Sequence, residues 1–304
     1  MSVRIVFMGS PEFAVPSLRR LAENYPVVGV ITQPDRPAGR GRQPTPPPVK
    51  VLAQELGIEV IQPERLKEPE AQDKLRDWAP DLIVVTAFGQ ILRKSVLELP
   101  RYGCVNVHAS LLPRWRGAAP INAAILHGDA EAGATIMVMD PGIDTGPMLA
   151  QRRMAILPED TTLSLGTRLA EDGADLLIET LPGYLSGAIT PQPQGDEGST
   201  YAPMLAKEDG RLDFNQPADA LERRVRAFTP WPGTFFDWQG QPLKVHQTQI
   251  VEGESQPGMR MVIDGMPAVG TSAGCLVLTE VQPAGKKPMS GKDFLRGVRG
   301  WTEG

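Results

Sequence analysis

The chain has little cysteine: Cys104 and Cys275 are its two, far apart and without C-x-x-C spacing. A disulfide framework is therefore excluded and a zinc site has no signature. Histidine is nearly as scarce, with three in 304 residues, so each can be weighed singly. No apolar run approaches the roughly 18 residues of a membrane span. The opening Met1-Ser2-Val3-Arg4-Ile5-Val6-Phe7 leads into a strand and has no secretory pattern, so a cytoplasmic protein without a membrane partner is expected. A GxGxxG dinucleotide cradle is also missing, since only Gly9 of the first strand-turn-helix matches it. The formal net charge of -5 speaks against an indiscriminate nucleic-acid binder.

Present instead is ordinary globular material, 41% hydrophobic and 22% charged, in a length that suits two domains. Strand patterns at Val3–Met8, Val27–Thr32, Glu59–Gln62 and Leu82–Ala87 alternate with helical ones. That order predicts a Rossmann-like, doubly wound, mostly parallel sheet of the α/β class. Ser10 and Pro11 predict a helix start, the serine as N-cap. A Gly, Pro, Gln and Ser-rich stretch follows the long helical pattern of Thr161–Thr180, and short strands then alternate with turns from Thr234 to Val281. They predict a small β-barrel, OB-like in kind. The expected domains are 1–190, a linker at 191–206, and 207–304.

Positive charge gathers locally despite the acidic total. Arg36, Arg40, Arg42 and Lys50 punctuate the loop Gln33–Pro48, Arg223, Arg224 and Arg226 share one short helix, and Lys286, Lys287, Lys292, Arg296 and Arg299 crowd the far end. Solvated faces would look the same; the alternative is a polyanionic partner. Chemistry is suggested by Cys104-Val105-Asn106-Val107-His108, where Asn106 and His108 lie two apart and share one strand face. A core strand whose polar groups satisfy backbone atoms would also fit. Met139-Asp140-Pro141-Gly142-Ile143-Asp144-Thr145-Gly146 is a tight turn in which the aspartates either cap the backbone or, in the case of Asp144, reach the imidazole.

Asn106-Val107-His108-Ala109-Ser110-Leu111-Leu112-Pro113, Arg114-Trp115-Arg116-Gly117-Ala118-Ala119-Pro120 and the Asp140–Gly146 turn together resemble the signature of the folate-dependent formyltransferase family. The likeness extends to Val6–Pro11, Gln33–Gly41, Arg226–Gly233 and Gln282–Lys287, of which the basic loop and the two C-terminal motifs favour the branch acting on tRNA. It implies transfer of a formyl group from 10-formyltetrahydrofolate to the α-amine of methionyl initiator tRNA, with no metal. Asn106, His108 and Asp144 match the catalytic trio. Ser110, Leu111, Leu112 and Pro113 match the folate-contacting loop. Arg36, Arg40, Arg42, Lys50, Arg223, Arg224, Lys286 and Lys287 are the candidate tRNA contacts, and a monomer is expected. Formylation of a small amine such as an amino sugar nucleotide, hydrolysis of formyltetrahydrofolate, and a nonenzymatic tRNA-binding module are the alternatives.

Overall fold

The computed structural model describes residues 2–38 and 43–302. The first part of the chain runs β1 (Ile5–Gly9), α1 (Val15–Asn24), β2 (Val27–Ile31), β3 (Arg36–Ala38), β4 (Gln43–Thr45), α2 (Pro48–Glu55), β5 (Val60–Ile61), α3 (Pro69–Trp78), β6 (Leu82–Thr86), α4 (Lys94–Leu97) and β7 (Cys104–His108). It continues as β8 (Arg116–Gly117), α5 (Pro120–Leu126), β9 (Glu131–Val138), β10 (Met148–Ala155) and α6 (Thr162–Ser186). The remainder is β11 (Tyr201–Ala202), α7 (Ala218–Ala227), β12 (Thr234–Trp238), β13 (Gln241–Val251), β14 (Arg260–Ile263), β15 (Met266–Gly270), β16 (Cys275–Gln282), β17 (Met289–Ser290) and α8 (Gly291–Gly297). By contact the residues form two compact units: 1–117 with 132–154 and 166–201, and 118–131 with 155–165 and 202–304.

In the first unit seven strands form one sheet in the order β10-β9-β7-β6-β1-β2-β5. The pairs β1–β2, β1–β6, β2–β5 and β6–β7 are parallel, and β7–β9 is antiparallel. Every residue of β1, β6 and β7 is buried, as strands covered on both faces must be. Alternation sorts their side chains. Ile5, Phe7, Leu82, Val84, Val105 and Val107 join one core with Leu18 and Leu21 of α1 and Leu177 and Leu181 of α6. Val6, Met8, Ile83, Val85 and Cys104 join a second core with Leu75 and Trp78 of α3. Asn106 and His108 have the parity of Cys104, so the pleat sends both to the second face, at the end of the strand.

The chain leaves β1 for β2 and β5 on one side and returns to β6 and β7 on the other, and ligands of open α/β sheets gather where that order reverses, beyond the strands' carboxyl ends. Gly9 closes β1 there: a Cβ on it would stand 2.7 Å from the Thr86 carbonyl oxygen and 2.9 Å from Ala14.

Two local expectations differ from what is observed. Ser10 caps no helix; its hydroxyl accepts the Gln33 N–H at 2.9 Å, and a short 3-10 turn, Glu12–Ala14, precedes α1. The loop expected to lack structure after β2 contains the antiparallel pair β3–β4, with Arg36 opposite Thr45.

In the second unit β12-β13-β16-β15-β14 form an antiparallel sheet, with β17 also on β16. Its core joins aliphatic side chains to an aromatic cluster. Phe214, Phe236, Trp238, Phe294 and Trp301 meet edge to face or tilted, and Leu221 and Val225 of α7 join them. The carbonyl of Ala227, at the end of α7, accepts from Asn122 Nδ2 at 2.7 Å and Thr162 Oγ1 at 2.6 Å. Among the described residues no helix is long and apolar enough to cross a membrane.

Candidate active site

The β-branched run of β7 carries Asn106 and His108 into a nearly closed environment, 8% and 6% exposed. Asn106 makes no side-chain hydrogen bond among the described residues, so its amide is open to whatever enters the site. His108 is held. Its Nε2 lies 2.9 Å from the carbonyl oxygen of Trp115, and since a carbonyl only accepts, Nε2 carries the hydrogen. The atom left to exchange a proton is Nδ1, which faces Asp144 Oδ2 at 3.7 Å.

The Asp140–Gly146 turn divides its two carboxylates. Asp140 caps the turn, accepting from Gly142 N at 3.0 Å and Thr145 Oγ1 at 2.7 Å. Asp144, with φ +52°, turns away from that network, and its Oδ2 accepts the Gly117 N–H at 2.8 Å. At 3.7 Å the carboxylate is past direct hydrogen-bond length from Nδ1 but close enough to stabilise a charged imidazolium. The group within hydrogen-bond length of the imidazole, and so the one that sets its tautomer, is the Trp115 carbonyl and not Asp144.

Ser110–Pro113 follows β7 directly. The Ser110 hydroxyl donates to the Arg114 and Trp115 carbonyls at 2.6 and 3.3 Å, Leu112 is buried, and Leu111 and Pro113 are partly exposed. The loop is stapled from the sheet. Thr135 Oγ1 of β9 donates to the Ser110 carbonyl at 2.6 Å and accepts from Leu112 N, and Gln151 Nε2 of β10 donates to the Leu112 carbonyl at 2.8 Å. Sequence reasoning missed Thr135 and Gln151; the signal for the first was a lone hydroxyl inside the apolar strand Ala134–Val138.

The formyl transferase family model matches residues 3–181, and that of the formyl transferase C-terminal domain matches 204–299. A methionyl-tRNA formyltransferase of Myxococcus xanthus is 55% identical over 97% of this chain and 95% of its own, and one of Halorhodospira halophila is 52% identical over 98% and 97%. The chain belongs to the methionyl-tRNA formyltransferase family. Among solved structures, an N-formyltransferase from Helicobacter canadensis, in complex with folinic acid and dTDP-3-aminofucose, superposes with a TM-score of 0.67 at 18% identity, over 93% of this chain and 100% of that one. HypX from Aquifex aeolicus, in complex with tetrahydrofolic acid, gives 0.64 at 18%, over 100% of this chain and 48% of that one. At such identities these two share the fold.

Of the basic residues singled out in this formyltransferase, Arg36, Lys286 and Lys287 are exposed. Lys50 is engaged: Nζ meets both Asp35 oxygens at 2.8 and 2.9 Å, Gln62 donates to the same carboxylate, and the two partners hold Asp35 below the usual carboxylate pKa range. Arg223 pairs with Asp219 at 2.8 Å and so lowers the Asp219 pKa, and Arg224 donates to the Asp209 carbonyl at 2.7 Å. Arg40 and Arg42 lie outside the described residues. Trp231, flanked by Pro230 and Pro232, is 55% exposed.

Proposed function

We propose that the chain transfers the formyl group of 10-formyltetrahydrofolate to the α-amine of methionyl initiator tRNA, giving formylmethionyl-tRNA. The observation that carries this reading is the meeting of an open Asn106 amide, a His108 whose Nδ1 is free, and the Asp144 carboxylate at one strand end, in a chain 55% identical to a methionyl-tRNA formyltransferase. The neutral amine attacks the formyl carbon and a C–N bond forms. Asn106 donates to the oxyanion that develops, preorganised where charge appears. His108 takes the surplus proton of the attacking nitrogen on Nδ1, and Asp144 stabilises the resulting imidazolium. Collapse breaks the bond to the folate nitrogen, which recovers a proton, and no covalent enzyme intermediate is required.

In this reading Ser110–Pro113 bounds the folate side of the site, Leu111 and Pro113 offering the surface. Residues 1–190 are the catalytic portion and 207–304 grip the tRNA, with Arg36, Arg40, Arg42, Lys286 and Lys287 as leading phosphate contacts. Lys50, Arg223 and Arg224, already engaged with Asp35, Asp219 and the Asp209 carbonyl, come second to these. The reaction takes place in the cytoplasm. The test is incubation with 10-formyltetrahydrofolate and charged initiator tRNA, following formylmethionine. Formate release without tRNA product would replace this reading with a hydrolase, and product from an amino sugar nucleotide would replace it with a small-amine enzyme.

A further inference from the structure

Residues 192–200 have the composition of a linker, yet their backbone is tied at both ends. Gln192 and Met148 exchange two N–H···O bonds of 2.8 Å, and the Thr200 carbonyl accepts the Arg116 N–H at 2.9 Å. Between those points every residue is exposed except Gln194, and Thr200 itself is half-buried. Gln194 Nε2 donates to the carbonyls of Asp144 at 2.8 Å and Gly146 at 2.7 Å, and its Oε1 accepts from Arg116 Nε at 3.1 Å. Thr200 Oγ1 accepts the Trp115 N–H at 2.9 Å.

The residues these two side chains hold both face the His108 ring: Trp115 at Nε2 and Asp144 at Nδ1. Both have left-handed backbones, φ +60° for Trp115 and +52° for Asp144. A residue with a Cβ stays in that region only where its surroundings over-determine it. Gln194 and Thr200 supply such restraint from one short segment. We infer that Gln194 and Thr200 are positioning residues of the catalytic histidine, Gln194 setting the carboxylate opposite Nδ1 and Thr200 setting the carbonyl that holds Nε2–H. This inference rests on the proposed formyl transfer for its kinetic part alone.

The test pairs kinetics with a readout that needs no substrate. Gln194→Met and Thr200→Val, both close in size to the native side chains, are expected to lower kcat about tenfold, a modest share of what a displaced reacting group costs, with KM for folate and tRNA within about twofold. Thr200→Ser keeps the hydroxyl and should restore kcat. Gln194→Glu keeps the Arg116 contact and loses the donor, and should fail like Gln194→Met. Gln192→Ala should be unchanged, since among the described residues that side chain hydrogen-bonds to the Thr190 carbonyl and to neither Trp115 nor Asp144. With three histidines in the chain, the imidazole nitrogens of His108 can be followed by NMR in the free protein. The wild type should show the Nε2–H form, and Thr200→Val a mixture of tautomers. Native kcat together with native His108 resonances in folded Gln194→Met and Thr200→Val would overturn the inference. A wild type that formylates no tRNA, with His108 resonances that still shift in the variants, would remove the function and leave the positioning role standing.

Discussion

At the scale of single residues the proposed mechanism divides roles among groups of fixed direction. Asn106 is an amide with no side-chain hydrogen bond among the described residues, so Asn106→Ala should slow the chemical step by about 10²- to 10³-fold, the cost of one oxyanion donor. Single-turnover formylation measures this, and an unchanged rate would remove Asn106 from the mechanism. Asp144→Asn separates charge from shape. Its side-chain oxygen can still accept the Gly117 N–H, and what it loses is the negative charge facing Nδ1. An expected fall in kcat of at least about tenfold, with folate binding retained, would show that the carboxylate acts through its charge.

At the scale of elements, the turn carrying Asp144 depends on a close approach as much as on its carboxylates. A Cβ on Gly146 would overlap the Val138 carbonyl, backbone that cannot swing aside as a side chain can. Gly146→Ala should therefore cost about 1–3 kcal/mol in urea unfolding, and activity should fall further than stability because Asp144 moves with the turn. The basic loop makes a different demand. Arg40→Ala with Arg42→Ala should weaken tRNA binding and flatten its salt dependence while leaving folate binding alone, since neutralised phosphates set the salt slope. Equal loss of folate binding would assign the loop to the folate pocket.

What could be read from the sequence at this scale was whatever recurs locally. The apolar run of β7 and the Gly and Pro of the aspartate turn announced themselves, and so did β12, at Thr234–Trp238. Backbone atoms carry no residue signature, so neither the Trp115 carbonyl nor the Gly117 N–H could be singled out. Gln194 and Thr200 looked like linker because their partners lie 50 and 85 residues away. Lys50 looked free for phosphate because Asp35 comes to it only when β2 and α2 are packed.

At the scale of the whole molecule, burial makes stability depend on alkaline pH. The Cys104 thiol, donating weakly to the Val96 carbonyl inside the second core, is pushed up to about 12 by desolvation, and burial raises Tyr25 and Tyr184 as well. The folded chain thus keeps protons that the unfolded chain releases. For Cys104 the stabilisation is fully present below the thiol's ordinary value of 9.0 and is lost as pH rises from there through about 12. The slope is up to about 1.4 kcal/mol per pH unit for one group. Urea unfolding at pH 8, 9 and 10 should show this decline, and Cys104→Ala should flatten it.

The two compact units are interleaved, with the polypeptide passing from one to the other five times between residues 117 and 202. During synthesis on the ribosome, Asn122 and Thr162 emerge 105 and 65 residues before Ala227, whose carbonyl they share. At about 5–20 residues per second, Asn122 waits roughly 5 to 20 seconds for that acceptor. The strands of the seven-stranded sheet are complete by then. The nascent chain therefore carries two segments of its second unit as unfinished surface until α7 is made, and no single cut in the finished polypeptide can leave one unit free of segments of the other.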